Sequence, residues 1–248
     1  MKVITAIEEY KKESYEVSCF LAGGISKCWE WQDAVIKYLK EIDSKRPMHD
    51  LVLFNPRRAN FPINDPNASE EQICWEFKNL QKMDIFSMYF CGNTESDQPI
   101  CFYELGRNLN IMNERYRSNL GTTQKYPMII TGVSPSTTCI VTCESDFKRI
   151  KDVDIQTKLA IGNHHKEVFS VIDISKDRED AAKFHAQKIA EKYFAFLELH
   201  RFTTRDYREY DVRTINKSFV DKHQIQKCNI EDDTIDRCPD CPKGSIFE

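Results

Sequence analysis

Apolar and polar positions alternate in blocks along the first 140 residues, and each block has the length of one secondary-structure element. Residues 1 to 16 are mostly polar and predict a helical leader. Val17-Ser18-Cys19-Phe20-Leu21-Ala22 is a short, nearly continuous apolar run, the pattern of a strand buried on both faces, and it stops at Gly23-Gly24-Ile25-Ser26. Trp29, Ala34, Val35, Tyr38, Leu39 and Ile42 then recur at helical spacing until Arg46-Pro47 ends the run. Leu51-Val52-Leu53-Phe54 reads as a second buried strand that breaks at Asn55-Pro56-Arg57-Arg58. A loop rich in Pro and Asn covers 59 to 69. Ser69-Glu70-Glu71-Gln72 has the form of a capping box, opening a helix that points Ile73, Phe77, Leu80 and Met83 inward. Asp84 leads a third strand over 85 to 90, followed by a long loop over 91 to 99, a helix over about 101 to 114, and Pro127-Met128-Ile129-Ile130 as a fourth strand.

This β-then-α order predicts an α/β fold, a Rossmann-like parallel sheet sandwiched by helices, because parallel neighbours need crossover connections. Ligands of such sheets bind at the carboxyl ends of the strands, where the 23 to 26 turn, the 55 to 58 turn and the 91 to 104 loop are expected to converge. Past residue 150 the pattern weakens. Ala181, Phe184, Ile189, Tyr193, Phe196 and Leu197 predict a long amphipathic helix over 178 to 201, whose Ala-rich face is either core or interface. Residues 201 to 227 carry seven Lys or Arg against four Asp or Glu, and 228 to 248 carry two against six, which predicts a solvated, partly disordered tail. The expected division is an α/β domain over 1–160 and a mostly helical C-terminal extension over 161–248.

Composition narrows the function classes. The 248 residues are 41% hydrophobic and 30% charged, ordinary for a globular domain. A net charge of −4 gives no electrostatic case for a dedicated binder of long nucleic acid or of an anionic membrane. No stretch approaches the roughly 20 apolar residues of a membrane span, and the start turns acidic before a signal peptide can form, so a cytoplasmic protein with no membrane partner is expected. Ten cysteines in so long a chain fall below disulfide-scaffold density and read as reduced core residues. Glycine is scarce, 8 of 248, or about 3% against a usual ~7%. The Gly23-Gly24 pair is therefore conspicuous: it allows close backbone approach to a ligand, or it is a plain tight turn.

Metal chemistry has only fragments, His164-His165 and Cys238-Pro239-Asp240-Cys241, neither of which completes a four-ligand site, so no metal is expected. Arg57 and Arg58 are placed either to hold a phosphate or to neutralise Glu76 and Asp84. Trp29 and Trp75 read as base-stacking residues or as core.

An ordered set of motifs resembles the nucleoside 2-deoxyribosyltransferase-like family over residues 17 to 115. The set is Phe20-Leu21-Ala22-Gly23-Gly24-Ile25 with Trp29, Asn55-Pro56-Arg57-Arg58, Trp75-Glu76 through Leu80 to Asp84, and Tyr103-Glu104-Leu105-Gly106. The resemblance implies a flavodoxin-like sandwich and cleavage of the N-glycosidic bond of a (deoxy)nucleoside or its 5′-phosphate, with the sugar passed to another base or to water. It places the nucleophile at Glu104, in the first turn of its helix. A carboxylate there stabilises an oxocarbenium-like state and then forms a glycosyl ester. The alternative for Glu104 is a first-turn acid favoured only by the helix dipole.

The resemblance also puts Glu76 against the base or its proton, although relatives carry the shorter Asp there; the alternative is an exposed acid pairing with Lys78 or Lys82. Gly23, Gly24, Ile25, Ser26, Trp29, Asn55, Arg57, Arg58 and Asp84 are the expected substrate-binding positions, with Asp84 otherwise a helix-end cap. No cofactor is implied, the partner is a small nucleoside or nucleotide, and a homo-oligomer is expected. The rival readings are a catalytically inactive nucleotide-binding or sensor module, and an interaction protein organised by the 178 to 201 helix.

Overall fold

A computed structural model of the chain describes residues 1–62, 64–92, 95–122, 138–162, 165–174 and 177–204, without the side chains of 112–122, 138 and 199–204. In chain order the elements are β1 (Lys2–Thr5), β2 (Val17–Gly23), α1 (Trp31–Lys45), β3 (Leu51–Asn55), α2 (Ala68–Leu80) and β4 (Ile85–Phe90). They continue with α3 (Pro99–Thr122), β5 (Thr138–Glu144), α4 (Ile150–Ile161), α5 (His165–Val168), β6 (Phe169–Ile172) and α6 (Arg178–Thr204). Among the described residues all strand pairs are parallel, in the order β1-β3-β2-β4-β5-β6. With edge strand β1 set aside, this is the flavodoxin-like doubly wound order, whose direction reverses between β2 and β4.

The alternation of side chains along the buried strands divides the core into two layers. Phe20, Ala22, Phe54, Phe86 and Met88 pack on one face with Trp75, Leu80 and Leu105 from α2 and α3. Cys19, Leu21, Leu53, Ile85 and Tyr89 pack on the other with Trp31, Val35 and Leu39 of α1 and the apolar face of α6. The Ala-rich face of α6 is therefore core: Ala181, Ala182, Ala186 and Ile189 are fully buried, small enough to let α6 lie along α1. A buried polar contact fastens α6 to the sheet. His185 Nε2 lies 2.5 Å from Ser87 Oγ and its Nδ1 2.8 Å from Thr142 Oγ1. Burial lowers the His185 pKa to about 3, so the ring is neutral.

Several expectations are corrected. Residues 2 to 5 form a strand, not a helical leader; with Ile4 buried, they pair backbone groups that β3 would otherwise present as an open edge. The capping box does not form, because α2 starts at Ala68 behind Asn67 with no side-chain cap. Ile73 and Phe77 are exposed, since Trp75 takes the inward face between Phe20 and Phe54 and donates Nε1 to the Glu8 carbonyl at 2.8 Å. Trp29 precedes α1, and Trp31 is its first, fully buried residue. The next described strand after α3 is β5; the strand expected at 127 to 130 lies outside the described residues, as do the 205 to 248 tail, His164 and the Cys238/Cys241 pair. The seven described cysteines are free, and five are buried. Among the described residues, no helix is long and apolar enough to cross a membrane.

The close approach of α6 to α1 is testable. Ala186→Leu adds volume at a position with no exposed surface and is expected to cost about 1–3 kcal/mol. Leu159, three-quarters exposed, changed to Gln should stay within about 0.5 kcal/mol of wild type. Equal urea-unfolding midpoints for the two variants would contradict the packing.

Candidate active site

The chain reversal between β2 and β4 opens a crevice at the carboxyl ends of the strands, and the Gly23-Gly24 turn forms one wall. Gly23 has φ +149°, and a Cβ there would stand 2.3 Å from the Tyr89 carbonyl oxygen and 2.7 Å from the Trp31 ring. A Cβ on Gly24 would meet Cys28 Sγ at 2.4 Å and Gln98 Oε1 at 2.5 Å. Gly23 thus requires glycine, for its backbone angle and for the Tyr89 carbonyl, whereas a Cβ on Gly24 would have to displace the Cys28 and Gln98 side chains. Trp31 Nε1 closes the turn by donating to the Gly24 carbonyl at 2.8 Å.

The facing wall is set by Gln98. Its amide pairs both ways with the Cys91 backbone, accepting from N–H at 3.2 Å and donating to C=O at 2.7 Å. Gln98 itself sits at φ +48°, and Pro99 follows as the first residue of α3, where its fixed φ suits a helix start. Glu104 consequently falls in the second turn of α3, not the first as the sequence suggested. The macrodipole fades within one turn, so it does not account for an acid here.

The resulting cavity has a volume of about 200 Å³, and its walls include Phe20, the turn from Gly23 to Ser26, Pro56, Glu76, Gln98 and Glu104. Two carboxyl groups therefore share one apolar-walled pocket, with no Lys or Arg among its lining residues. Burial first, and the Glu76 charge with it, push Glu104 up to about 8 against the opposing charge of Arg107. Burial also raises Glu76, against a hydrogen bond from Gln72. Two carboxyls coupled this way retain about one proton between them near neutral pH. Glu76 is thus a pocket residue, not an exposed partner of Lys78 or Lys82. Such a pair can attack an electrophilic carbon through one oxygen and protonate a leaving group through another.

Gly23, Gly24, Ile25 and Ser26 all line the cavity, but other expected binding residues do not. Arg57 donates Nε to Gln32 Oε1 at 2.9 Å and Nη2 to the carbonyls of Ile25, Cys28 and Trp29 at 3.3, 3.4 and 2.9 Å. Its guanidinium therefore clamps the β2–α1 loop, and Arg57 is not among the residues that line the cavity with Glu76. Asn55 is buried and accepts from Arg57 N–H at 3.0 Å, shaping the turn. Arg58 lies over the Phe61 ring at 5.5 Å, outside the cavity. Asp84 is at the amino end of β4, the opposite end of the sheet from the cavity. It accepts from Ser18 N and Oγ at 2.7 and 2.8 Å and pairs with Lys12, so it joins strand starts and does not line the cavity.

Trp29 turns its Nε1 to Glu144 at 2.6 Å. Glu144, which sequence reasoning missed, ends β5 with no exposed surface. It also accepts from Tyr89 Oη at 2.8 Å and Gly92 N at 2.7 Å, and pairs with Arg178 at 3.3 Å. The available signal was an acid closing a β-branched run, since strand carboxyl ends face the crevice. Among the described residues, no three His, Cys, Asp or Glu side chains are grouped to hold a metal ion.

The sequence model of the family described as nucleoside 2-deoxyribosyltransferase like matches residues 16–114, a segment that contains every lining residue of the cavity. Among solved structures, the chain is similar to the crystal structure of a probable GTP-binding protein engB, at 11% identity over 72% of this chain and 99% of that one, with a TM-score of 0.36. No curated protein matches the chain.

Glu144→Gln keeps the side-chain shape but turns an N–H₂ group toward donors. It is expected to lower stability by about 2–4 kcal/mol, read as the shift in urea-unfolding midpoint. A shift under about 0.5 kcal/mol would remove Glu144 as the anchor of the crevice.

Proposed function

We propose that this cavity cleaves the N-glycosidic bond of a (deoxy)nucleoside or nucleotide, with Glu104 as nucleophile and Glu76 as the acid that serves the departing base. The observation that carries the reading is the pair of carboxyls in one pocket, inside the segment matched by the deoxyribosyltransferase-like family. In the reacting form the pair's proton sits on Glu76: ionised Glu104 forms a bond to C1′ as the C1′–N bond breaks, and that proton goes to the base nitrogen. The glycosyl ester is then opened by a second base, which completes transfer, or by water, which completes hydrolysis. Nucleophile and acid both come from the chain, so no cofactor is needed.

On this reading the protein works in the cytoplasm on a small-molecule substrate, and as a homo-oligomer. Exposed Ile73 and Phe77 on α2, with Ile100 and Tyr103 on α3, support the last point: they form apolar surface on the helices that carry Glu76 and Glu104.

A nucleotide-binding module without turnover is the second reading. It is favoured by the same rise of Glu104 to about 8, since a protonated carboxyl is no nucleophile. A panel of deoxynucleosides and their 5′-phosphates separates the two, with and without an acceptor base. Wild type is expected to release base, and Glu104→Ala to be slower by at least about a hundredfold. Equal release from both would dismiss the assignment, and binding without any release would establish the sensor.

The active pair holds one proton. Activity is therefore expected to fall as pH rises through about 8, where that proton is lost, and to fall again in acid as the pair takes up a second proton. A kcat/KM profile flat between pH 6 and 9 would contradict the shared proton.

A further inference from the structure

Gln72 carries the third position of the capping box that did not form, so its side chain is free of that role. From the first half of α2 it reaches back across the β3–α2 turn instead. Its Nε2 donates to the Pro56 carbonyl at 3.0 Å and to Glu76 Oε1, one helical turn on, at 2.9 Å. Both amide N–H groups are used and both partners are acceptors, which fixes the amide orientation. Its Oε1 is buried without a partner. That unpaired acceptor has a cost, and it is tolerated where the two N–H contacts are made.

Building on the glycosidic reading above, we propose that Gln72 is a positioning residue for Glu76. By donating to Oε1 it ties the carboxyl to the wall of the cavity at Pro56 and leaves Oε2 as the oxygen that carries the proton to the departing base. Pro56 and Glu76 both line the cavity, so the amide joins two parts of one wall. A carboxyl on a long side chain otherwise rotates, and its proton sits on either oxygen. Reaching one base nitrogen requires a single orientation within hydrogen-bond distance. Glutamate has one more side-chain torsion than aspartate, and Gln72 restrains it.

Two variants test this, Gln72→Leu, which removes the donor, and Gln72→Glu, which keeps the shape and adds a charge beside Glu76. The first readout needs no substrate: ¹³C-carboxyl NMR titration of Glu76 in the full chain, with folding checked by circular dichroism. The hydrogen bond favours the ionised form, so its loss is expected to raise the Glu76 midpoint by about half to one pH unit, and the added charge to raise it further.

The second readout is turnover of a deoxynucleoside. Gln72→Leu is expected to lower kcat roughly tenfold with KM within about twofold, and to move the basic limb of the pH profile upward; a merely structural role would shift neither limb. Midpoints within about 0.2 pH unit of wild type in both variants would overturn the proposal, as would an unchanged kcat in Gln72→Leu. If wild type releases no base at all, the glycosidic reading and the catalytic part of this role fall together. The titration then still decides whether Gln72 holds Glu76.

Discussion

Two loops, a strand and a helix start meet at one buried carboxylate. Glu144 has no exposed surface, and a bare charge in that position would cost several kcal/mol. Its oxygens are met instead by Trp29 of the β2–α1 loop, Tyr89 of β4, Gly92 of the β4–α3 loop and Arg178 at the start of α6. Each segment that moves away takes one of these partners from the charge. Arg57 holds the β2–α1 loop from the other side through three backbone carbonyls. With both loops held, the Gly-Gly turn lies against Gln98, α3 begins at Pro99, and Glu104 reaches the cavity.

The same economy of cations shapes the site's electrostatics. Arg57 is occupied by backbone, and Arg107 spreads over the Phe77 ring at 4.0 Å, where it only partly offsets the rise of Glu104. The carboxyl pair is left without a close neutralising partner in a largely apolar pocket. Burial raises both carboxyls, as it raises Glu144, but Glu144 is met by four partners whereas the pair faces an open cavity.

Much of this was legible in the chain before its structure. The strands at 17 to 22, 51 to 54 and 85 to 90 stood out because burial on both faces makes them nearly continuous apolar runs. The scarcity of glycine marked the turn that the structure presses against β4. Other features depended on tertiary contacts. β1 buries only one of four residues, and β5 dilutes Ile and Val with Thr and Cys, so neither shows a clear apolar run. In α2 the stripe of Ile73 and Phe77 competed with Trp75, and the larger indole won the inward face. Arg57 looked available for a phosphate because a sequence does not show carbonyls awaiting a donor. Asp84 could have been excluded: a residue that leads a strand lies at the amino end, away from where such sheets bind ligands.

The central claim is that Glu104 becomes covalently bonded to a sugar. Rapid acid quench of the protein during turnover of a deoxynucleoside, followed by intact-mass and peptide mass spectrometry, tests it directly. One deoxyribosyl unit is expected on the peptide that contains Glu104, and no addition in Glu104→Ala. A wild-type protein that turns over substrate while the label sits on another residue, or that never acquires a label, would contradict it.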